Sequence, residues 1–303
     1  MEPTLIYETV HGSRAYGVAT ATSDVDVRGV IVGPPAWYHG YRGGPEQIEL
    51  SPDHVRYEIR KLFRLLAASN PTLIEVLWTA PADHLVCTAA GEKLLALRQL
   101  FLSRKVERSF AHYAMAQLRR IQTHRRWLLV PPQEEPRREA FGLPPNRGLA
   151  REQQGAAEAL LAAGEELPTS LLELLDREKR WQAARREWEA HRSWLRSRNP
   201  QRAEAEARFG YDTKHAMHLV RLLRMAREIL ATGQVQVRRP DRDELLAIRA
   251  GSWSYEELVE QAESLFAAVE DAARTTTLPA APDEVRLDQA CQRIVEEVLA
   301  AAG

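Results

Sequence analysis

The chain has 303 residues, of which 45% are hydrophobic, and 41 basic and 42 acidic residues give it a formal net charge of −1, so we expect a globular protein of about two domains. Because positive and negative charges balance, the net charge does not predict nonspecific binding to nucleic acid. A local basic patch that binds nucleic acid is still compatible with this composition. The sequence has no run of about 18 apolar residues, no signal-peptide pattern and no metal-type cysteine spacing. We therefore expect a cytoplasmic protein without membrane contact or structural disulfides.

The first hundred residues have the pattern of a sheet with helices. Residues 4–10 are rich in β-branched and aromatic side chains, and residues 25–33 alternate before they become fully apolar, which predicts two strands. Residues 46–50 and 53–57 predict a further strand with a break between them. The apolar residues of 58–68 recur at helical spacing, which predicts a helix.

Helical spacing dominates from about residue 88. Residues 103–128 predict an amphipathic helix, and the Pro-rich residues 131–148 predict a long loop. Residues 168–208, dense in Glu, Arg and Ala, predict an exposed helical hairpin; a solvated face is favoured there over nucleic-acid contact. The pattern is that of an α+β protein, with a mixed-sheet core over 1–100 and a mostly helical domain over 101–303.

Two aspartates stand one residue apart in "SDVDVRG". On a strand, Asp24 and Asp26 face the same side, where two carboxylates repel each other unless a cation lies between them. Mg²⁺ suits such a pair, because it takes a few carboxylates together with phosphate oxygens. The alternative is that Asp24 belongs to the preceding turn and that only Asp26 enters the strand.

A Gly-Ser pair precedes these aspartates by about ten residues. Gly12 and Ser13 follow a predicted strand directly, and a strand-to-helix turn presents backbone N–H groups that favour phosphate. Glycine permits close approach of the backbone, and the serine hydroxyl can donate to a phosphate oxygen. A Gly-Ser pair alone has no diagnostic value, but its combination with a same-face aspartate pair between two strands is specific.

The stretch "GSRAYG…SDVDVRG" resembles the nucleotidyltransferase core typified by DNA polymerase beta. Within that superfamily the chain is most similar to the predicted nucleotidyltransferases of an RNA repair pathway, the RlaP family. Residues 57–78, 124–144 and 214–226 carry this narrower resemblance along most of the chain. The resemblance implies a polymerase beta-like palm in the N-terminal core.

The resemblance also implies roles for the motif residues. Gly12 and Ser13 would hold a triphosphate, and Asp24 and Asp26 would bind metal ions. A third carboxylate is needed on a neighbouring strand, and both Asp53 and Glu58 are candidates for it. We favour Asp53, because the family tends to place an aspartate at a strand start; the competing interpretation is that "SPD" is a helix cap.

Cationic side chains accompany the motif. Arg14 and Arg28 flank it and can neutralise phosphate charge, although an ion pair with an aspartate is an equally good interpretation of Arg28. Lys214, His218 and Arg221 share one helical face and would suit a triphosphate or an RNA backbone in a cleft. A solvated stripe on an amphipathic helix would have the same sequence pattern.

These residues predict an enzyme. It would transfer a nucleoside monophosphate from a nucleoside triphosphate such as ATP to an acceptor hydroxyl, release pyrophosphate and use Mg²⁺ or Mn²⁺. The family name points to an RNA end as acceptor, while a protein side chain or a small molecule stays open. The alternative function is a non-catalytic, antitoxin-like regulator that binds a nucleotide or a partner through the same core.

Overall fold

A five-stranded mixed sheet forms the N-terminal part of the computed structural model, which describes residues 2–198 and 200–302. The strands are β1 (Thr4–His11), β2 (Asp26–Val32), β3 (Gln47–Ser51), β4 (His54–Glu58) and β5 (His84–Cys87). Their order across the sheet is β3-β4-β2-β1-β5. The pairings β1–β2, β1–β5 and β3–β4 are antiparallel, whereas β2 and β4 run parallel.

The helices follow or interrupt this sheet. They are α1 (Gly12–Tyr16), α2 (Pro35–His39), α3 (Ile59–Ala67), α4 (Pro71–Val76), α5 (Ala89–Ala96), α6 (Lys105–Leu129), α7 (Arg151–Ala162), α8 (Thr169–Ser197), α9 (Pro200–Phe209), α10 (Thr213–Thr232), α11 (Arg242–Arg249), α12 (Tyr255–Thr275) and α13 (Glu284–Ala302). The predicted α+β class, a mixed sheet followed by a mostly helical region, is confirmed. Within the described residues, no helix has both the length and the apolar character that a membrane crossing requires.

The chain divides into two compact units. Unit 1 comprises Met1–Ile121 together with Asp212–Gly303, and unit 2 comprises Gln122–Tyr211. The sequence instead predicts a division near residue 100, based on where strand patterns end. The difference arises because the C-terminal helices pack with the sheet region: α13 contacts α3 and α5.

Unit 1 has its core on both faces of the sheet. The last residues of β2, Val30–Val32, are buried as a continuous apolar run, because side chains that point to opposite faces are both covered. Most side chains of α10 are buried as well, and this helix packs against α11 and α12. The Gly-Ser turn follows β1, an interior strand of this sheet.

Unit 2 is helical and contains the Pro-rich stretch. Residues 131–148 include one short 3₁₀ helix, Arg138–Phe141, and the region predicted as a helical hairpin consists of the 29-residue α8 and the 10-residue α9. Trp127 is buried, with its ring centroid 5.5 Å from that of Trp194 and 5.4 Å from that of His191. These aromatic contacts supply apolar packing that the charged sequence of α8 does not predict.

Candidate functional site

Gly12 forms the turn between β1 and α1. Its φ is +67°, a left-handed conformation that favours glycine, and a Cβ added there would lie 2.1 Å from Oδ2 of Asp26. Any side chain at this position would therefore displace the aspartate. Ser13 follows, half-buried, as the second residue of α1. The structure thus brings the Gly-Ser turn against Asp26.

Asp26 and Asp53 lie at the same edge of the sheet. Asp26 is the first residue of β2, and Val27 pairs with His54 in the parallel ladder with β4. The carbonyl oxygen of Asp53 accepts a hydrogen bond of 2.7 Å from the amide of Val27. Asp53 itself lies exposed in the turn between β3 and β4, directly before β4 begins. The turn before the neighbouring strand therefore carries an acid next to the start of β2.

Glu58 lies at the other end of β4, paired with Ile31 rather than with the first residues of β2. At about 3.3 Å per residue, the four steps from His54 span roughly 13 Å. The Glu58 carboxylate is buried and caps α3, accepting from the amide of Arg60 at 3.0 Å, and it also accepts from the hydroxyl of Tyr38 at 3.1 Å. Its placement is that of a structural cap. The choice of Asp53 as third carboxylate remains a prediction that this placement favours.

Asp24 lies in the loop before β2. The strand begins at Asp26, so the predicted strand start at residue 25 is one residue early, and Asp24 is an exposed loop residue. The loop is ordered by its own contacts: Thr20 N donates to Ser23 Oγ at 2.9 Å, and Arg14 donates to the carbonyl of Ser23 at 3.2 Å. Arg14 thus holds the segment that carries Asp24.

Arg28 connects the two strand starts. Its Nη1 donates to the carbonyl oxygens of Val27 and Asp53, at 2.8 Å and 2.7 Å, and its Nη2 lies 3.6 Å from Oδ1 of Asp26. Arg28 shares the face of β2 that carries Asp26, because the two are separated by one residue. These contacts agree with the interpretation of Arg28 as an ion-pair partner of an aspartate. The positive charge of Arg28 also lies beside the Asp26 carboxylate.

Another buried acid of the sheet, Glu8, faces the opposite side. Glu8 on β1 pairs with Gly29 on β2, which is three residues from Asp26 and so points to the other face. Its carboxylate contacts His54 Nε2 and Arg56 Nε, both at 2.8 Å. Burial raises the pKa of Glu8, but these two hydrogen bonds outweigh it and the pKa is lowered. Glu8 is therefore a structural partner of β4.

A buried charge network supports the turn from the Asp26 side of the sheet. Glu75 on α4 accepts from the hydroxyl of Tyr16 at 2.5 Å and from Arg221, and it lies 3.3 Å from Nε2 of His11. The Arg221 guanidinium carbon lies 3.8 Å from the centroid of the Tyr16 ring. His11 immediately precedes Gly12 and pairs with Asp26 in the β1–β2 ladder. The network therefore fixes both ends of α1.

The charges within this network are strongly coupled. Burial alone would raise the pKa of Glu75, but the Arg221 guanidinium and the hydrogen bonds from His11 and Tyr16 outweigh it and lower that pKa to about 2. Burial raises the pKa of Tyr16 well above its ordinary value. Glu75 is thus a buried carboxylate and Tyr16 a neutral donor to it.

Arg221 belongs to the predicted cationic face of α10. Of that face, Arg221 is buried against Glu75, whereas Lys214 is half-exposed. Loss of hydration, and then the positive charges of Arg221 and Lys214, lower the pKa of His218 to about 3, so His218 is neutral at pH 7. Arg221 is therefore connected to the Gly-Ser turn indirectly, through Glu75. Lys214 carries its positive charge near His218.

Sequence reasoning missed Glu75, His11 and a second group of arginines. Arg242 Nε donates to the carbonyl of Gly17 at 2.9 Å, and Arg249 donates to the carbonyl of Val18 at 3.4 Å. Both hold the loop that follows α1. One available signal was the arginine density of residues 238–249; the other was the single glutamate in the apolar run 72–78.

Carboxylate chemistry at this edge suits a hard divalent cation. Across the described ranges, no three His, Cys, Asp or Glu side chains form a group that could hold a metal ion, so Asp24, Asp26 and Asp53 do not come together as a three-carboxylate set in this structure. Mg²⁺ is bound through one or two carboxylates together with water and substrate phosphates rather than by an all-protein cage. Asp26 at the start of β2, with Asp24 in the loop before it and Asp53 in the turn before β4, offers carboxylates of that kind.

A mixed sheet with a Gly-Ser turn packed against a strand that begins with aspartate agrees with the polymerase beta-like core that the resemblance implies. Residues 2–130 match the model of the family described as "RlaP: RNA repair pathway DNA polymerase beta family", which confirms the resemblance over this part of the chain. The matched range includes Gly12, Asp26, Asp53 and Glu75 and ends before α10.

A curated relative matches part of the chain. The chain is 35% identical over 114 residues to the uncharacterized protein YcgL of Bacillus subtilis (strain 168). The match covers 36% of this chain and 42% of that relative, so the chain spans less than half of the relative's length. No solved structure matches the chain.

Proposed function

We propose that the protein is a metal-dependent nucleotidyltransferase that transfers a nucleoside monophosphate from a nucleoside triphosphate to a hydroxyl at an RNA end. The observation that carries this proposal is the packing of the Asp26 carboxylate against Gly12, where a Cβ would lie 2.1 Å from Oδ2. A carboxylate held against a glycine turn, with Asp53 at the adjacent strand start, places acidic oxygens beside a backbone that phosphate can approach. The family match over residues 2–130 supports the same reaction class.

In the proposed reaction, the acceptor oxygen forms a bond to the α-phosphorus. The bond from that phosphorus to its bridging oxygen breaks, pyrophosphate leaves, and the hydroxyl proton passes to solvent. Asp24, Asp26 and Asp53 would hold Mg²⁺ or Mn²⁺, which when bound neutralises phosphate charge and lowers the pKa of the acceptor hydroxyl.

The other residues of the chain bind and orient the substrate. Gly12 admits the phosphates close to the backbone, and the Ser13 hydroxyl donates to a phosphate oxygen. Arg28 is fixed by two carbonyl oxygens, so its charge is oriented before substrate arrives. Arg221 is buried against Glu75, whereas Lys214 on the same face of α10 is half-exposed, and we assign the triphosphate contact to Lys214 because of that exposure.

The test is a transfer assay with labelled nucleoside triphosphates, Mg²⁺ and a mixture of single-stranded RNAs. The wild-type protein should release pyrophosphate and label the RNA, and a folded Asp26→Asn variant should lose this activity. Glu49→Gln is the matched control, because Glu49 is an exposed carboxylate on the neighbouring β3. Full activity of Asp26→Asn would refute the metal site. Nucleotide binding by an inactive wild-type protein would instead support the non-catalytic regulator.

The third carboxylate is tested in the same assay. Asp53→Asn should abolish transfer and leave the thermal melting point nearly unchanged, because Asp53 is exposed. Glu58→Gln should remain active when folded but should lose about 0.5–2 kcal/mol of stability, the range for loss of a helix cap. The reverse result would move the site to Glu58.

A further inference from the structure

Tryptophan and arginine alternate along one side of α8. Trp181, Arg185, Trp188 and Arg192 follow each other at intervals of four, three and four residues, which places them on one helical face. The guanidinium carbon of Arg185 lies 5.5 Å from the Trp181 ring centroid, and that of Arg192 lies 5.0 Å from the Trp188 ring centroid. We call these four residues the Trp–Arg face.

The two tryptophans of this face differ in their surroundings. The Trp181 indole donates to the carbonyl of Pro136 at 3.1 Å, and Arg138 covers its ring at 4.5 Å. Trp188 is partly exposed, and among the described residues its ring has Arg192 as its partner. Trp181 is therefore tied to the Pro-rich loop, whereas Trp188 presents an aromatic ring to solvent.

The charge pattern changes along the same helix. In its first half, Arg177 pairs with Glu173 at 3.3 Å and Arg180 pairs with Asp176 at 3.7 Å, each with an acid four residues earlier. In the second half, the residue four before Arg185 and before Arg192 is a tryptophan. Arg185 has an acid four residues later, Glu189, whereas Arg192 has Arg196 at that spacing, so the acid-base pattern of the first half ends before Arg192.

Positive charge is in excess at this end of α8. Residues 185–198 contain five arginines and two glutamates. Glu187 contacts Arg126 at 2.6 Å, and Glu189 contacts Arg185 at 2.9 Å. Arg192 and Arg196, four residues apart on one face, have no ion pair within the described part of the chain. Like charges at this spacing destabilise a helix, and an anionic partner would remove that cost.

We propose that the Trp–Arg face binds single-stranded RNA, with bases stacked on Trp188 and phosphates paired with Arg192 and Arg196. Aromatic rings flanked by arginines are the chemistry that single strands require, because every base has a π-face and every linkage has a charge. A protein partner would not need cations beside each ring, and a duplex hides its base faces. The proposal rests on the proposed function in its choice of RNA, but binding is measured without transfer.

The experiment is fluorescence anisotropy of a labelled 20-nucleotide single-stranded RNA of mixed sequence with the full chain in EDTA. Trp188→Ala should weaken binding roughly 5- to 150-fold, the range for loss of one stacked base, and Trp188→Phe should retain most of the affinity. Arg192→Ala should weaken binding and lower the slope of log affinity against log salt by about one. Arg180→Ala is the matched control and should bind as wild type does.

Circular dichroism and thermal melting establish that each variant is folded. Unchanged affinity in both Trp188→Ala and Arg192→Ala overturns the proposal, and so does equal or tighter binding of the matching RNA duplex. Competition by heparin as effective as competition by unlabelled RNA overturns it too, because that result shows only general anion binding. If wild type binds RNA through Trp188 but transfers no nucleotide, the proposed function fails and this proposal stands. The converse holds if transfer occurs and Trp188→Ala binds normally.

Discussion

Glu75 on α4 and Arg185 on α8 are both charged residues on helices, yet Glu75 is 1% exposed whereas about half of the Arg185 side chain is in contact with water. Three groups of unit 1 surround the Glu75 carboxylate: Tyr16, His11 and Arg221. In unit 2, Arg185 has Glu189 at 2.9 Å and solvent around it.

This difference shows how burial decides what a charge costs. In the interior of unit 1, removal of one partner leaves an uncompensated charge that water cannot reach. On α8, water replaces any partner that is removed, so the side chains remain available for a ligand. The buried network therefore holds the fold around the motif, and the exposed arginines are free to serve binding.

The largest effect is expected from Glu75→Gln. This change leaves the Arg221 guanidinium buried without a counter-charge and should lower the free energy of unfolding by about 3–5 kcal/mol. Denaturant titration measures the loss. The double variant Glu75→Leu/Arg221→Met should recover much of it, because both charges are then absent. A loss below about 1 kcal/mol in Glu75→Gln would contradict the description of a coupled buried pair.

Acidification should produce the next largest effect. The folded-state pKa values of His218, about 3, and Glu75, about 2, lie below their ordinary values of 6.5 and 4.5. The unfolded chain therefore binds more protons in these ranges, and stability present at neutral pH is lost as pH falls, first through His218 below about pH 6.5 and then through Glu75 below about pH 4.5. Unfolding free energies measured from pH 7 to pH 3 should show this decline.

His218→Gln separates the two contributions. The variant lacks the titrating imidazole, so its stability should change little between pH 6.5 and pH 5 and should fall below that range because of Glu75. A wild-type curve that is flat from pH 7 to pH 4 would show that His218 is hydrated in the folded protein.

A smaller effect, on nucleotide binding, is expected for Lys214 on α10. Lys214→Ala should raise the KM for the nucleoside triphosphate by an amount equivalent to about 1–3 kcal/mol, the range for a hydrogen bond that involves a charged group. Its thermal melting point should change little. Lys93→Ala is the control, because Lys93 is an exposed lysine paired with Glu297 at 2.5 Å. A KM equal to that of wild type would mean that Lys214 contributes nothing to nucleotide binding.

The smallest effect is expected on α8. Glu189→Ala removes the partner of Arg185 and should change the free energy of unfolding by less than about 0.5 kcal/mol, since exposed helix pairs contribute little. Salt at 1 M should abolish the difference between this variant and wild type. A loss near that of Glu75→Gln would show that α8 carries structural charge after all.

Local patterns in the sequence predict much of unit 1. The strands at residues 4–10 and 25–33 correspond to β1 and β2 within about one residue, because side-chain alternation is a local property. Glu58 illustrates what local pattern leaves open, since an acid at a strand-to-helix junction can be a ligand or a cap. Its capping contacts depend on Tyr38 and Arg60 meeting it in three dimensions.

The pairing of Glu75 with Arg221 could not be predicted from the sequence for a different reason. Glu75 and Arg221 are 146 residues apart, and no periodicity relates positions at that distance. The cationic face of α10 was visible as a helical pattern, but a solvated stripe gives the same pattern. The sequence did not decide whether Asp24 lies on the strand or in the preceding turn. The strand start depends on the Thr20–Ser23 turn and on Arg14, which together shape the loop before β2.

The discontinuity of unit 1 has a consequence for synthesis on the ribosome. Glu75 emerges 146 residues before Arg221, which at about 5–20 residues per second is an interval of roughly 7–30 s. During that time the carboxylate has no guanidinium to meet, so the region around the Gly12 turn cannot close into its final form. Unit 2 is synthesised within this interval. The nascent N-terminal motif therefore lacks its contact with α10 until unit 2 is complete.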